Sequence, residues 1–165
     1  MRIDMAEFRK PCSCGRQHEI IVDDIIIEQG AIEKLPEILA RKEYASFKKI
    51  AMVCDENTYE AAGKKVASLL PDLAKVILDP DNLHANEHGV EAAKKELDKI
   101  GDVDLMIAVG SGTVHDITRY HAYNMKIPFF SVPTAASVDG FVSTVAAMTW
   151  HGFKKSFTAV SPIVV

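Results

Sequence analysis

The 165-residue sequence contains little cysteine, a single tryptophan and no long hydrophobic run. Three cysteines, an odd number, favour a reducing cytoplasm over a disulfide framework. The apolar runs are far shorter than the roughly 20 residues that a membrane-spanning helix needs, and residues 1–5 do not begin a secretory signal. Acidic residues outnumber basic ones, and the net charge is -4. A negative protein is a poor match for nucleic acid or an anionic membrane as its main partner. We therefore expect a cytoplasmic protein with neither of these partners.

What the sequence does contain is an alternation of strand-like and helix-like segments. We predict strands at 19–27, 49–54, 74–78, 104–109 and 128–132, and helices at 31–41, 57–70, 88–100 and 113–123. Pro36 lies inside the first of these helices, so we expect an irregular first turn or a start near Leu35. Such alternation is typical of βαβ units. The predicted fold is an α/β domain over residues 19–165, with a doubly wound, mainly parallel, Rossmann-like sheet, behind an N-terminal arm of residues 1–18.

Beyond residue 139 the alternation stops. Residues 145–150 and 153–159 flank His151-Gly152, a pattern that predicts a β-hairpin near the C-terminus. The last residues, 161–165, form an apolar run with no turn or capping residue after it. We therefore expect this chain to be a fragment of a longer protein.

The segment with the most specific chemistry is Val109-Gly110-Ser111-Gly112-Thr113-Val114-His115-Asp116. A buried strand that breaks into Gly-Ser-Gly and restarts as a helix lets the backbone approach phosphates and directs free N–H groups at them. The segment thus predicts a cradle for the pyrophosphate of NAD or NADP. Its expected contacts are Gly110, Ser111 and Gly112, and the first-turn N–H groups of Thr113, Val114 and His115. The alternative is a tight strand-to-helix turn without a ligand, since His115 stands where a GxGxxG fingerprint has its third glycine.

Two further positions lie where strands are predicted to end. Asp55 follows the strand at 49–54, where its carboxylate can accept hydrogen bonds from an adenosine ribose, or cap the next helix, or do both. The second is the run Pro133-Thr134-Ala135-Ala136-Ser137-Val138-Asp139-Gly140, which places small and hydroxylated residues on the same predicted edge of the sheet. By itself this run also suits an ordinary turn.

Together, these motifs resemble the N-terminal domain of bacterial NAD(P)-linked sn-glycerol-1-phosphate dehydrogenases. That family belongs to the superfamily of glycerol dehydrogenase, iron-type alcohol dehydrogenases and dehydroquinate synthase. The resemblance is carried by Gly110-Ser111-Gly112-x-x-x-Asp116, by the run 133–140 and by the hairpin after it. It extends from about Asp23 to Val165, is dense in motifs only from 104 to 161, and departs from the family at Ser111, where glycine is frequent.

The resemblance implies a role for each matching position. Asp116 would line the nicotinamide end of the cleft, and Asp139 would hydrogen-bond a hydroxyl of the substrate, although Asp139-Gly140 alone is also a turn signal. The cofactor's phosphate and nicotinamide ribose would be held by Thr134, Ala135, Ala136 and Ser137, with a further contact from Ser143.

For the intact enzyme, the resemblance implies a dimer that interconverts sn-glycerol-1-phosphate and dihydroxyacetone phosphate, a phosphorylated polyol and its ketone. A divalent metal, zinc or nickel, would bind to a helical second domain, and the metal's ligands would lie outside this sequence. We therefore expect the chain alone to bind NAD weakly and to have no catalytic activity. Alternatives are glycerol dehydrogenase, a dehydroquinate synthase-like enzyme, or a non-catalytic nucleotide-binding module.

One motif lies outside the resemblance. Cys12-x-Cys14-Gly15-x-x-His18 has the donor types of half a zinc site, but no second cysteine pair follows it in the sequence. The alternative is a reduced, irregular N-terminal arm. Cys54 lies in a predicted core strand and is expected to act as a small apolar residue.

Overall fold

The computed structural model describes residues 2–137 and 140–165. Its strands are β1 (Arg2–Ile3), β2 (Ile25–Ile26), β3 (Ile50–Asp55), β4 (Ala74–Leu78), β5 (Leu105–Gly110), β6 (Phe129–Pro133), β7 (Val145–Trp150) and β8 (Phe153–Thr158). Its α-helices are α1 (Leu35–Leu39), α2 (Glu56–Thr58), α3 (Lys64–Leu69), α4 (Glu87–Ile100) and α5 (Gly112–Met125). In this part of the chain, no helix combines the length and the apolarity needed to cross a membrane.

The centre of the fold is a four-stranded parallel sheet in the order β4-β3-β5-β6. Strand β5 is buried along its whole length, and its side chains alternate between two cores. Met106 and Ala108 pack with α4 and α5 on one face, whereas Leu105 and Ile107 pack with α1 and α3 on the other. Helices therefore cover both faces, and the predicted doubly wound, mainly parallel fold is confirmed.

The strand order places a topological switch between β3 and β5. The chain leaves β3 through α2 and α3 toward β4, then crosses through α4 to β5 on the other side of β3. In open α/β sheets, ligands bind at the carboxyl ends of the strands beside such a switch. Asp55 and Gly110 are the last residues of the two strands that flank it.

The prediction of a strand over 19–27 is wrong, because only Ile25–Ile26 is a strand. In the preceding segment, the carbonyls of Ile20 (3.4 Å) and Val22 (3.0 Å) accept hydrogen bonds from the Arg9 guanidinium and not from a neighbouring strand. The buried Asp24 carboxylate lies 2.6 Å from the guanidinium of Arg41.

The helix predicted at 57–70 is interrupted by a π-helical turn, Tyr59–Gly63, between α2 and α3. A Cβ on Gly63 would lie 2.7 Å from Cδ2 of Tyr59, so glycine allows the aromatic ring to lie against this turn. The irregular start expected around Pro36 is confirmed, since a 3₁₀ turn, Ala31–Lys34, precedes α1.

Strands β7 and β8 form the predicted antiparallel hairpin, with His151 and Gly152 both at positive φ in the turn. Its inner face packs against α4 and α5 through Ala146 and Met148. The C-terminal residues 163–165 extend the sheet beyond β6, because the Ser131 N–H donates to Val164 O (2.8 Å). On their other side these residues pair with the segment before β2, where the Val165 N–H donates to Asp24 O (2.9 Å).

Candidate functional site

A cleft of about 480 Å³ opens at the carboxyl end of β5. One wall is the start of α5, and the opposite wall combines the loop that precedes β7 with the start of β7 itself. The sequence-predicted residues that line it are Ser111, Gly112, Thr113, His115, Asp116, Ser137 and Ser143. The two motifs singled out in the sequence therefore meet across one crevice.

At the N-terminus of α5, the side chain of the N-cap residue Ser111 makes no capping hydrogen bond. By contrast, Asp55 Oδ1 accepts from the Thr58 N–H (2.7 Å) at the start of α2, and Asn86 Oδ1 accepts from the Gly89 N–H (2.9 Å) at the start of α4. The first backbone hydrogen bond of α5 joins the His115 N–H to Ser111 O (3.0 Å). The preceding N–H groups, at 112–114, are those a bound anion can accept from, and the helix dipole adds about half a positive charge there.

This geometry corrects one expectation. The His115 N–H was expected to contact the pyrophosphate, but Ser111 O already accepts its hydrogen bond. The Val114 side chain is buried beneath the loop, so this residue has only its backbone to offer a ligand.

The two glycines of the motif serve different purposes. A Cβ on Gly110 would lie 2.6 Å from Cβ of Val114, so glycine is required there for α5 to pack against β5. Among the described residues, a Cβ on Gly112 would meet no heavy atom within 4 Å. The absence of a side chain at Gly112 therefore keeps the cleft open beside the uncapped N–H groups.

His115 is a structural member of the cleft wall. Its ring is buried, with Nδ1 2.9 Å from Ser111 O and Nε2 2.7 Å from Ser131 Oγ. Since a carbonyl can only accept, Nδ1 carries the proton and Nε2 accepts from the Ser131 hydroxyl. Burial lowers the pKa of His115 to about 4, so the ring is neutral at physiological pH and ties the glycine-rich loop to β6.

Arg119 is the site residue that sequence reasoning missed. Its guanidinium is buried and donates to the carbonyls of Gly140 (2.6 Å) and Val145 (2.9 Å), which joins α5 to the opposite wall. Its Nε has no hydrogen-bond partner in the described part of the chain and lies 3.9 Å from Asp116 Oδ1. The signal available in the sequence was the i,i+3 spacing of Asp116 and Arg119 on one helix face.

Asp116 lies in a mixed electrostatic environment. Burial raises the pKa of its carboxyl group, while Arg119 and the Ala147 backbone N–H act in the opposite direction. The net direction is upward, because removal of the carboxylate from water outweighs a cation that does not contact it closely. Burial also disfavours the charged form of Arg119, which lowers the pKa of its guanidinium.

Most of the remaining predicted residues do not line the cleft. The Thr134 N–H donates to Gly110 O (3.0 Å), but Thr134 lines a second cavity, of about 430 Å³, between β6 and α1. Ala135 is half-buried and Ala136 is exposed, and neither lines the cleft. The Ser143 hydroxyl donates to Val145 O (3.0 Å), which fixes the entry to β7.

The last two predicted contacts are the carboxylates of Asp55 and Asp139. Asp55 caps α2, as one of the two interpretations proposed, and it lies at the end of β3 outside the cleft lining. Asp139, the predicted substrate contact, lies outside the described residues, together with Val138.

The cleft residues do not fit a metal ion. Both ring nitrogens of His115 are engaged, and Asp116 faces the Arg119 cation. Over residues 2–137 and 140–165, the group of three or more potential metal donors that lie close together is Cys12, Cys14 and His18, in the N-terminal arm.

Comparison with known proteins agrees with this architecture. A glycerol-1-phosphate dehydrogenase [NAD(P)+] from Bacillus licheniformis is 44% identical over 159 residues, which cover 92% of this chain and 39% of that protein. The chain thus spans about two fifths of the length of such relatives. The predicted resemblance to glycerol-1-phosphate dehydrogenases is confirmed.

Solved structures share the fold. Maleylacetate reductase from Rhizobium sp. strain MTP-10005 matches with a TM-score of 0.73 at 17% identity, over 90% of this chain and 41% of that one. A 2-deoxy-scyllo-inosose synthase complexed with carbaglucose-6-phosphate, NAD+ and Co2+ matches with a TM-score of 0.71 at 17% identity, over 86% of this chain and 42% of that one. A family model described as iron-containing alcohol dehydrogenase matches residues 26–165. The chain therefore belongs to the iron-containing alcohol dehydrogenase family.

Proposed function

We propose that residues 19–165 are the dinucleotide-binding domain of an NAD(P)-dependent, metal-dependent dehydrogenase that interconverts sn-glycerol-1-phosphate and dihydroxyacetone phosphate. The 44% identity to a glycerol-1-phosphate dehydrogenase [NAD(P)+] supports the substrate class. The observation that carries the cofactor assignment is the start of α5, where Ser111 provides no side-chain cap and no described residue fills the space beside Gly112.

The residues at this cleft fit the diphosphate bridge of a dinucleotide. The N–H groups of Gly112, Thr113 and Val114 precede the first hydrogen bond of α5, and they donate to the bridge. Ser111 brings its backbone to the same point, and the Ser137 hydroxyl lies on the facing wall. When bound, the nicotinamide cofactor supplies or accepts the hydride.

The charged pair positions the facing wall. Arg119 holds the carbonyls of the loop that leads into β7, and so fixes the distance between the two sides of the cleft. Asp116 lies on the same helix face and, in this proposal, borders the nicotinamide end. Asp139 is proposed to hydrogen-bond a hydroxyl of the substrate, and Ser137, the one residue of 134–137 that lines the cleft, to contact the cofactor's phosphate or ribose.

Other parts of the proposal rest on the resemblance. The metal would belong to a helical domain outside this sequence, because the cleft residues do not fit it. The choice between zinc and nickel, the dimer and the cytoplasmic location stay predictions. Asp55 is proposed to contact the adenosine ribose in addition to its role as a helix cap.

Calorimetric titration of this chain with NAD+, NADH and NADP+ tests the proposal. We expect weak one-to-one binding that glycerol does not reproduce, and no metal-dependent turnover of sn-glycerol-1-phosphate by the chain alone. A folded chain that binds none of the three nucleotides contradicts the cofactor assignment. Appreciable dehydrogenase activity of the 165-residue chain contradicts the proposed division between two domains.

A further inference from the structure

The loop of residues 10–19, here called the arm loop, gathers three metal-binding side chains in a segment that the proposed function does not use. Its sulfur and nitrogen donors belong to Cys12, Cys14 and His18, and all three ligand atoms lie within 4.8 Å of one another. The Cys14 Sγ to His18 Nε2 distance is 3.1 Å. In a tetrahedral zinc site with Zn–S of about 2.3 Å and Zn–N of about 2.0 Å, neighbouring donors are about 3.5–3.8 Å apart. Small side-chain rotations therefore suffice to reach that geometry.

Apolar packing does not explain why these side chains converge. In the arm loop, Cys12 is half-buried while Cys14, His18 and the residues between them are exposed. The loop is instead tied at its base, where the Arg9 guanidinium donates to Val22 O (3.0 Å) and to the Asp23 carboxylate (2.8 Å). These hydrogen bonds bring the two ends of the loop together, and the backbone turn within the loop brings the donor side chains together.

The local backbone holds the two sulfurs on one side of a turn. The Gly15 N–H donates to Cys12 O (3.0 Å), and Gly15 adopts a φ of +76°, a conformation that glycine tolerates without strain. The Cys14 N–H points at Cys12 Sγ (3.5 Å). A backbone N–H directed at the first sulfur fixes that sulfur's orientation, and the turn then presents the second sulfur beside it.

We propose that Cys12, Cys14 and His18 bind one zinc ion per chain, with the fourth position taken by water. Two thiolates and an imidazole are donors that zinc prefers, and among the described residues no fourth histidine, cysteine or carboxylate joins the cluster. The bound ion cross-links the arm loop, which otherwise has little apolar burial to order it.

Cobalt substitution tests this site directly, because thiolate-to-cobalt charge transfer in the near ultraviolet arises only from sulfur ligands. The reduced, chelator-stripped chain is titrated with Co²⁺ and then with Zn²⁺. We expect one equivalent of Co²⁺ to produce the charge-transfer band together with visible bands typical of tetrahedral cobalt, and one equivalent of Zn²⁺ to abolish both.

Variants assign the ligands. Cys12→Ser and Cys14→Ser should each reduce the charge-transfer band, and the double variant should lose it. His18→Gln should shift the visible bands, whereas Cys54→Ala, in the buried core, and Ser13→Ala, in the same loop, should leave the spectrum unchanged. Because the arm loop contains no helix or strand, far-ultraviolet circular dichroism should be the same for all loop variants.

Alkylation provides a second measurement. Zinc should protect Cys12 and Cys14 from iodoacetamide until chelator is added, while the buried Cys54 reacts slowly in both states. The proposal is overturned if no charge-transfer band forms, if the band survives in the double cysteine variant, or if zinc leaves the alkylation rates of Cys12 and Cys14 unchanged.

Discussion

Replacement of Gly112 by alanine should separate folding from nucleotide binding. The added Cβ would meet no atom of residues 2–137 and 140–165 within 4 Å, and Gly112 is already helical as the first residue of α5. Glycine-to-alanine changes at compatible positions stabilise a protein by about 0.4–1 kcal/mol, chiefly by restricting the unfolded chain. For a chain of this size, that gain corresponds to a rise in Tm of roughly 1–4 °C.

The same methyl group would occupy the space through which a diphosphate reaches the N–H groups of α5. We expect the affinity of Gly112→Ala for NAD+ to fall by about tenfold or more, which is about 1.4 kcal/mol. Thermal unfolding followed by circular dichroism and calorimetric NAD+ titration measure the two effects on one sample. Unchanged NAD+ affinity in a normally folded variant would show that the cofactor does not approach α5.

Gly110→Ala provides the matched comparison within the same motif. Here the new Cβ would lie 2.6 Å from Cβ of Val114, in the contact between β5 and α5. Overpacking of this kind destabilises by about 1–3 kcal/mol. We expect a lower Tm for Gly110→Ala and a higher or equal Tm for Gly112→Ala, and equal stability of the two variants would refute our account of the two glycines.

Three further predictions concern other residues. Because burial lowers the pKa of His115 from 6.5 to about 4, the folded chain binds fewer protons than the unfolded chain between these values. Stability should therefore be fully present above pH 6.5 and be lost as the pH falls toward 4. His115→Asn should flatten this slope in urea unfolding, while His121, whose pKa is also lowered by burial, still contributes in the same direction. Arg119→Met should destabilise the chain by about 1–3 kcal/mol, because the carbonyls of Gly140 and Val145 lose their charged donor. It should also speed hydrogen exchange in the loop before β7, whereas the exposed Arg16→Met should change little. Asp55→Ala should lower the free energy of unfolding by about 1 kcal/mol, because the cap of α2 is lost. Asp55→Asn should keep the cap and weaken NAD+ binding if the carboxylate contacts the ribose. Equal NAD+ affinity of Asp55→Asn and the parent chain would contradict that role.

Much of the fold was predictable because its signals are local. The buried run of β5, the break at Gly110 and the helix that follows predict a strand–turn–helix from adjacent residues alone, and the structure has it. The hairpin was equally readable, since His151 and Gly152 provide the positive φ angles of a tight turn between two strand-like segments. In the candidate site, the same local pattern pointed to Ser111, Gly112 and Thr113, and the family resemblance pointed to Asp116; all four line the cleft.

The sequence by itself therefore determined the α/β class, the parallel sheet and the position of the glycine-rich turn, because hydrophobic period and turn chemistry operate over a few neighbouring residues. Only the tertiary structure decided that residues 163–165 pair with β6 and with the segment at Asp24, and that Arg119 connects the two walls of the cleft. It likewise assigned Thr134 to a different cavity from Ser137. These outcomes depend on contacts between residues far apart in the chain, and a buried charge or an added strand is stable only where the folded backbone places its partners.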